Sequence, residues 1–138
     1  MSNQEIIHAY RHLLRSGLHA VQFSMPARFV VQSQLRKAFR VRPGESKTFD
    51  PEAVRRTIWF LKAAAAERGL EHKIVKNLIR VTWHREREAR ENWRKTAQIW
   101  SNGGRKKRED PIRATTYEHY EATIAMLNHS MGLCLPLR

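Results

Sequence analysis

The amino-acid sequence predicts an all-α protein with a helical core over residues 1–82 and a basic helical extension over residues 83–138. Three observations predict this class. Apolar residues recur at steps of three and four along most of the chain, helix-start signals precede those segments, and no alternating pattern long enough for a strand is present. With 138 residues, the chain is long enough to bury a modest core.

Two helices are predicted within residues 2–39. Ser2 and Glu5 have the spacing of a capping box, in which Ser2 is the N-cap and Glu5 reaches back to its amide. The inner face of the first helix is predicted to consist of Ile7, Tyr10, Leu14, Leu18 and Val21. Pro26 marks a restart, because proline is tolerated in the first helical turn. The second helix is expected to bury Ala27, Val31, Leu35 and Ala38, with Phe39 beside them.

A turn-forming linker at 41–46 leads to two more helices in the predicted core. Asp50 is the expected cap of the third helix and Pro51 its first residue, while Gly69 marks its end. Its inner face is predicted from Val54, Ile58, Leu61 and Ala65. A fourth helix is predicted to begin near Leu70 and to turn inward Ile74, Leu78, Val81 and Thr82.

The chain changes character from His84 onward. Residues 85–108 contain nine Lys or Arg and three Glu, with opposite charges at helical pairing distance, which is typical of a solvated or partner-bound helix. A basic loop at 102–110 precedes a last helix, whose apolar side is predicted from Tyr117, Tyr120, Ile124, Leu127 and Met131. Trp93 and Trp100 share one face. We expect them to pack against Tyr117 and Tyr120; the alternative is stacking on nucleic-acid bases.

The charge balance predicts an anionic partner. The chain has 26 Lys and Arg against 13 Asp and Glu, a formal net charge of +13, which favours RNA, an acidic protein or a membrane surface. No apolar stretch is long enough to span a membrane. Glu5 is the one acidic residue among the first 44, a composition typical either of a mitochondrial import signal or of an ordinary basic helix.

Three features of the first 80 residues resemble the LYR-motif family of small mitochondrial three-helix adaptors. They are the Tyr10-Arg11 pair with a Leu-Arg pair after it, the Phe39-Arg40 pair that closes the second helix, and the third helix after a short linker. The literal triplet here is "AYR", since Ala9 replaces the leading leucine, and that position is expected to be one of packing. The resemblance implies a three-helix antiparallel bundle.

The resemblance also implies a partner, the acidic mitochondrial acyl carrier protein. That protein presents acyl-4′-phosphopantetheine, so no cofactor is bound directly by the adaptor. The residues expected to bind the carrier and its phosphopantetheine are Tyr10, Arg11, Arg15, Lys37, Phe39 and Arg40. The residues expected to line the acyl chain are Leu14, Leu18, Leu35, Ile58 and Leu61. The alanines at 63–66 leave room for an alkyl chain on one interpretation, and are helix formers that allow close packing on the other.

Within the family, the chain most resembles members on the assembling large subunit of the mitochondrial ribosome, in the matrix. The implied partners are large-subunit proteins, rRNA and a ribosome-silencing-factor-like assembly protein. The residues expected to contact RNA phosphates are Arg105, Lys106, Lys107 and Arg108; the alternative for them is a solvated loop. Two other functions stay open: an accessory subunit or assembly factor of a respiratory complex, and a carrier-independent basic RNA-binding protein.

No enzymatic activity is predicted. The sequence has no nucleophile elbow, P-loop or dinucleotide fingerprint, and Cys134 has no catalytic partner by pattern. His8 and His12 have a spacing that can bind zinc from a helix, but no suitably placed cysteine or carboxylate completes a site. We therefore predict no metal.

Overall fold

The computed structural model describes residues 3–40, 49–101 and 111–136, and all regular structure in those ranges is helical. The helices are α1 (Asn3–Ala20), α2 (Ala27–Phe39), α3 (Pro51–Ala66), α4 (Leu70–Ser101) and α5 (Pro111–Met131). The prediction of an all-α protein is confirmed. Ser2, the linker at 41–46 and the basic loop at 102–110 lie outside the described residues.

The helix-start signals at α2 and α3 are found where the sequence predicts them. The Asp50 side chain accepts hydrogen bonds from the backbone N–H groups of Glu52 (2.9 Å) and Ala53 (3.3 Å), and Pro51 occupies the first turn. These bonds satisfy amides that have no partner within the helix. Pro26 directly precedes α2 and makes no side-chain capping bond.

The core cluster joins four of the five described helices to the C-terminal segment. Helix α1 contacts α2 and α3, and α4 contacts the same two helices. The buried core cluster draws on α1, α3, α4, α5 and the C-terminal segment; its members are Ala20, Phe60, Ala64, Val75, Leu78, Ile124, Leu133 and Leu135. The predicted division at 82/83 falls inside the continuous helix α4. Residues beyond that division therefore help to form the same core.

The buried faces of α1, α2 and α3 are rotated from the predicted stripes. Helix α1 buries Leu13, Ser16, Gly17 and Ala20, whereas Ile7, predicted to be internal, is 47% exposed. Helix α2 buries Val30 and Gln34 and exposes Ala38; helix α3 buries Thr57, Phe60 and Ala64. Small side chains let helix backbones approach closely, so Gly17, Ala20 and Ala64 lie on these buried faces. Larger residues such as Leu13, Val30 and Phe60 are buried beside them.

Helix α5 ends in a turn that returns the chain to the core. Gly132 has a φ of 61°, a left-handed conformation that glycine adopts without steric cost. The next N–H, of Leu133, donates to the Asn128 carbonyl at 2.9 Å, which completes a Schellman-type end. The Asn128 side chain then binds both backbone groups of Leu135, at 3.1 and 2.9 Å. Leu133 and Leu135 are consequently held in the core.

Candidate partner-binding surface

An aromatic contact joins α1 to the end of α2. The rings of Tyr10 and Phe39 meet edge to face, with centroids 5.3 Å apart and planes at 80°. This arrangement is favourable because the positive edge of one ring meets the negative face of the other. Both residues are half-buried. Two residues 29 positions apart, which the family resemblance assigned to one site, are therefore in direct contact.

Cationic side chains lie near these two residues in the sequence of both helices. Arg11, Arg15, Lys37 and Arg40 are all exposed. The Lys37 ammonium donates to the Glu86 carboxylate of α4 at 2.8 Å, and Ser33 also donates to that carboxylate, at 3.4 Å. Within the described residues, the other three cations form no ion pair. They leave three guanidinium groups open to an anionic partner.

A groove of about 470 Å³ runs along the outer face of α2 beside these cations. Its lining consists of Phe29, Gln32, Ser33, Arg36, Lys37 and Arg40. Arg36 was missed by the sequence analysis, although its four-residue spacing from Arg40 places the two on one helix face. The Arg28 guanidinium lies 4.6 Å from the centre of the Phe29 ring, a cation–π contact at the end of the groove. Lys37 and Arg40 thus share a cationic groove with Arg36.

The five predicted acyl-chain residues lie on α1, α2 and α3. Leu14, Leu18, Leu35, Ile58 and Leu61 are each half-buried, and Leu61 packs against the core cluster. None of them lines the α2 groove or the second cavity described below. Ala64 is buried in the core, whereas Ala66, two residues further on, is exposed. For Ala64, close helix packing is the interpretation that the structure supports.

A second cavity of about 520 Å³ lies between α2, α4 and α5. Arg85 lines this cavity and contacts two residues of α5. Its guanidinium donates to Glu121 at 2.6 Å and lies 4.1 Å from the centre of the Tyr117 ring. The Tyr117 hydroxyl donates to Glu88 at 3.2 Å. Gln34, on α2, also lines this cavity and is 7% exposed; its side-chain oxygen has no hydrogen-bond partner among the described residues. No pattern in the sequence predicted this polar junction.

The prediction that two tryptophans of α4 are packed is wrong. Trp93 is 74% exposed and Trp100 is 76% exposed. Tyr117 and Tyr120, their expected partners, turn instead toward α4 near Arg85 and toward the core. Burial raises the pKa of the Tyr120 hydroxyl, and the nearby Arg85 charge opposes that shift. The indoles remain available to another molecule.

The remaining predicted groups form no described site. Arg105, Lys106, Lys107 and Arg108 lie outside the described residues. In the ranges that the structure describes, no three metal-ligating side chains converge, and both His8 and His12 are exposed. The Cys134 thiol lies 3.1 Å from the Thr57 hydroxyl, and burial raises its pKa. This thiol is part of the packing between the C-terminal segment and α3.

These features define a helical protein with a basic surface on α1 and α2 and exposed indoles on α4. None of the described helices combines the length and the apolar character needed to cross a membrane. The chain is 31% identical over 115 residues to UPF0593 mitochondrial protein C806.05 of Schizosaccharomyces pombe, covering 82% of this chain and 83% of that protein. It therefore belongs to this family of mitochondrial proteins. No protein-family model and no solved structure matches it.

Proposed function

We propose that this mitochondrial protein is a non-enzymatic LYR-type adaptor. In this proposal α1, α2 and α3 form the adaptor bundle, which binds acylated mitochondrial acyl carrier protein in the matrix. The adaptor then docks the carrier on the large subunit of the mitochondrial ribosome. The observation that carries the proposal is the Tyr10–Phe39 contact, with Arg11, Arg15 and Arg40 exposed on α1 and at the end of α2.

The charges of the α1–α2 surface suit an acidic carrier. Arg11 and Arg15 are one helical turn apart, so an acidic helix lying across α1 would meet both. Guanidinium groups form paired hydrogen bonds with carboxylates and phosphates, and these bonds are stronger than neutral ones. Because these arginines lack internal partners among the described residues, a carrier carboxylate would not have to displace an existing ion pair.

The α2 groove suits the phosphate of a phosphopantetheine arm. Arg36 and Arg40 bring two positive charges to one side of α2, beside Lys37, whose ammonium is paired with Glu86, and the exposed ring of Phe29 supplies an apolar patch. The arm combines those two chemistries, since it has a phosphate at one end and apolar methyl and methylene groups along its length. Arg36 is thereby added to the residues proposed for carrier binding.

The acyl chain would cover apolar surface that the five half-buried residues leave open. Apolar surface removed from water contributes about 25 cal/mol per Å². Leu14 and Leu18 are one turn apart on α1, and Ile58 and Leu61 are three residues apart on α3. Each retains exposed surface, so a chain placed along them would gain burial.

Charge reversal at the aromatic contact tests carrier binding. Native mass spectrometry of the complex purified from mitochondria should detect an acidic protein with a phosphopantetheine and acyl mass. Arg11→Glu combined with Arg40→Glu should abolish that mass. The matched control is Arg68→Glu combined with Arg80→Glu, which reverses two exposed arginines outside α1 and α2. Wild-type protein that retains other partners but yields no carrier would overturn the proposal.

Sedimentation separates the proposed ribosomal role from the respiratory alternative. Neutralising Arg105, Lys106, Lys107 and Arg108 should release the protein from ribosomal particles and leave carrier binding intact. Unchanged sedimentation with bound carrier would favour an accessory subunit or assembly factor of a respiratory complex. Ribosome or RNA binding without any carrier would favour the RNA-binding protein of the third alternative.

A further inference from the structure

The last three turns of α4 form a surface that the core does not use. Helix α4 has 32 residues, so it is about 48 Å long. Val75 and Leu78 in its first part are buried. Of the described side chains from 89 to 101, only Glu91 and Ile99 are half-buried, and all others are exposed. This part of α4 therefore adds little to the hydrophobic core.

Two indoles and two guanidinium groups lie together on this part of α4. Trp93 and Trp100 are seven residues apart, which places them on one face with an axial separation of about 10.5 Å. Ala97 lies between them and is too small to cover either ring. Arg90 is exposed three residues before Trp93, on the same side of the helix as the indoles, and Arg94 is exposed one turn beyond Arg90, at the edge of that side. We name Trp93, Trp100, Arg90 and Arg94 the indole platform.

We propose that the indole platform binds single-stranded RNA by stacking a base on each indole while the arginines contact phosphates. The separation of the two rings keeps them from stacking on each other, so each ring face is open to a base. Base–aromatic stacking is independent of sequence, because every base has a π-face. This inference deepens the RNA contact in the proposed function, and it does not depend on carrier binding.

The local charge favours RNA over an acidic protein as the occupant. Glu91, the one carboxylate from residue 89 to residue 101, accepts a hydrogen bond from Arg87 at 2.8 Å. That bond and the Arg87 charge lower the pKa of Glu91. Arg90, Arg94 and Lys95 thus outnumber the acidic groups, as a polyphosphate requires. An interface with a folded protein normally has a contiguous apolar centre, whereas these indoles are separated by alanine and flanked by arginines.

Binding of a labelled single-stranded RNA of about 12 nucleotides to the full-length protein tests this proposal. Trp93→Ala and Trp100→Ala should each weaken binding about 5- to 150-fold, the range expected for loss of one stacked base. Trp93→Phe should restore part of the loss, because phenylalanine keeps a ring. The matched control is Trp59→Ala, which removes an indole of α3 that is 64% exposed. It should leave the affinity unchanged.

Salt dependence and an abasic strand separate stacking from simple charge attraction. Arg90→Gln combined with Arg94→Gln should reduce the slope of log affinity against log salt by about 1.4, whereas the tryptophan variants should keep the wild-type slope. An abasic strand has no bases to stack on the indoles. Its affinity for the wild-type protein should therefore be no higher than the affinity of ordinary RNA for the double tryptophan variant. Equal RNA affinity of the wild-type and double tryptophan proteins would overturn the proposal.

The same double tryptophan variant distinguishes this proposal from the proposed function. Retained carrier together with lost RNA affinity supports the indole platform. Loss of the carrier with unchanged RNA affinity would mean that the platform binds protein, and would overturn the inference. A third outcome is that the double variant keeps its RNA affinity, and that wild-type protein floats with anionic phospholipid vesicles while the double variant does not. This result would assign the indoles to a membrane surface and overturn the inference. Carrier that is absent from wild-type protein would refute the adaptor function alone.

Discussion

The packing of the C-terminal segment yields the most direct test of this fold. Leu135 is 5% exposed, and its backbone is bound at both ends by the Asn128 side chain. Leu135→Ala removes a buried side chain, for which the cost is about 2–5 kcal/mol. We expect about 2–3 kcal/mol, because a segment near the chain end can relax into the vacated space. The melting temperature should fall by roughly 4–12 °C, at about 2–4 °C per kcal/mol.

Urea unfolding followed by far-UV circular dichroism measures this free energy. The matched control is Met126→Ala on α5, since Met126 is 73% exposed and its removal should change stability by less than about 0.5 kcal/mol. If Leu135→Ala and Met126→Ala unfold at the same urea concentration, the C-terminal segment does not contribute to the core. The division at 82/83 predicted from the sequence would then describe the protein better than the single core of the structure.

Three further substitutions or modifications test particular contacts. Phe60→Ala should lower the free energy of unfolding in urea by about 3–5 kcal/mol, because Phe60 is 1% exposed. Trp59→Ala, at the adjacent exposed position, should leave it nearly unchanged. Equal effects of the two substitutions would refute the orientation of α3. Gly132→Ala should lower the free energy of unfolding in urea by about 1–2 kcal/mol, because alanine is strained at the positive φ of this position. The new methyl group would also crowd the Arg56 side chain, and Arg56→Ala should relieve that part of the loss. An unchanged urea midpoint for Gly132→Ala would contradict the left-handed turn at the end of α5. Cys134 is an exposed residue whose thiol is partly desolvated beside Thr57, which raises its pKa, so its alkylation rate should rise at higher pH in the folded protein than in urea. Coincident profiles would show that the fold does not desolvate this thiol.

The sequence predicts those features of the fold that depend on neighbouring residues. Asp50 and Pro51 lie next to each other, so the start of α3 is a local property, and the capping bonds are found there. The inner face of a helix is different, since it depends on which helices approach it. A Cβ atom at Gly17 would lie 2.9 Å from the Val31 side chain, so α1 and α2 approach more closely than a larger residue allows. Apolar spacing alone selects larger residues and therefore misses this contact line.

At the candidate site, too, the sequence predicts relations within one helix but not contacts between helices. Spacing within one helix relates Arg11 to Arg15, but no rule of periodicity relates Tyr10 to Phe39 across 29 positions. That pair was found through the family resemblance, and the structure places the two rings in contact. The exposure of Trp93 was mispredicted because a large aromatic residue is usually expected to pack when another aromatic helix follows it. Whether Trp93 is covered depends on which part of α5 joins the core, and the part that does so leaves Trp93 exposed.

Helix α4 links the two proposed binding surfaces. Glu86 holds Lys37 of the α2 groove at 2.8 Å and lies one turn before Arg90 of the indole platform. With the Lys37 side chain 58% exposed, this ion pair contributes at most about 1 kcal/mol, so its main effect is to fix α4 against α2. Stability comes instead from Val75 and Leu78, which are buried near the start of α4. The first turns of α4 complete the core, and its last turns carry exposed indoles. Packing within the described chain does not account for the length of this helix, whereas a partner bound to the last turns would.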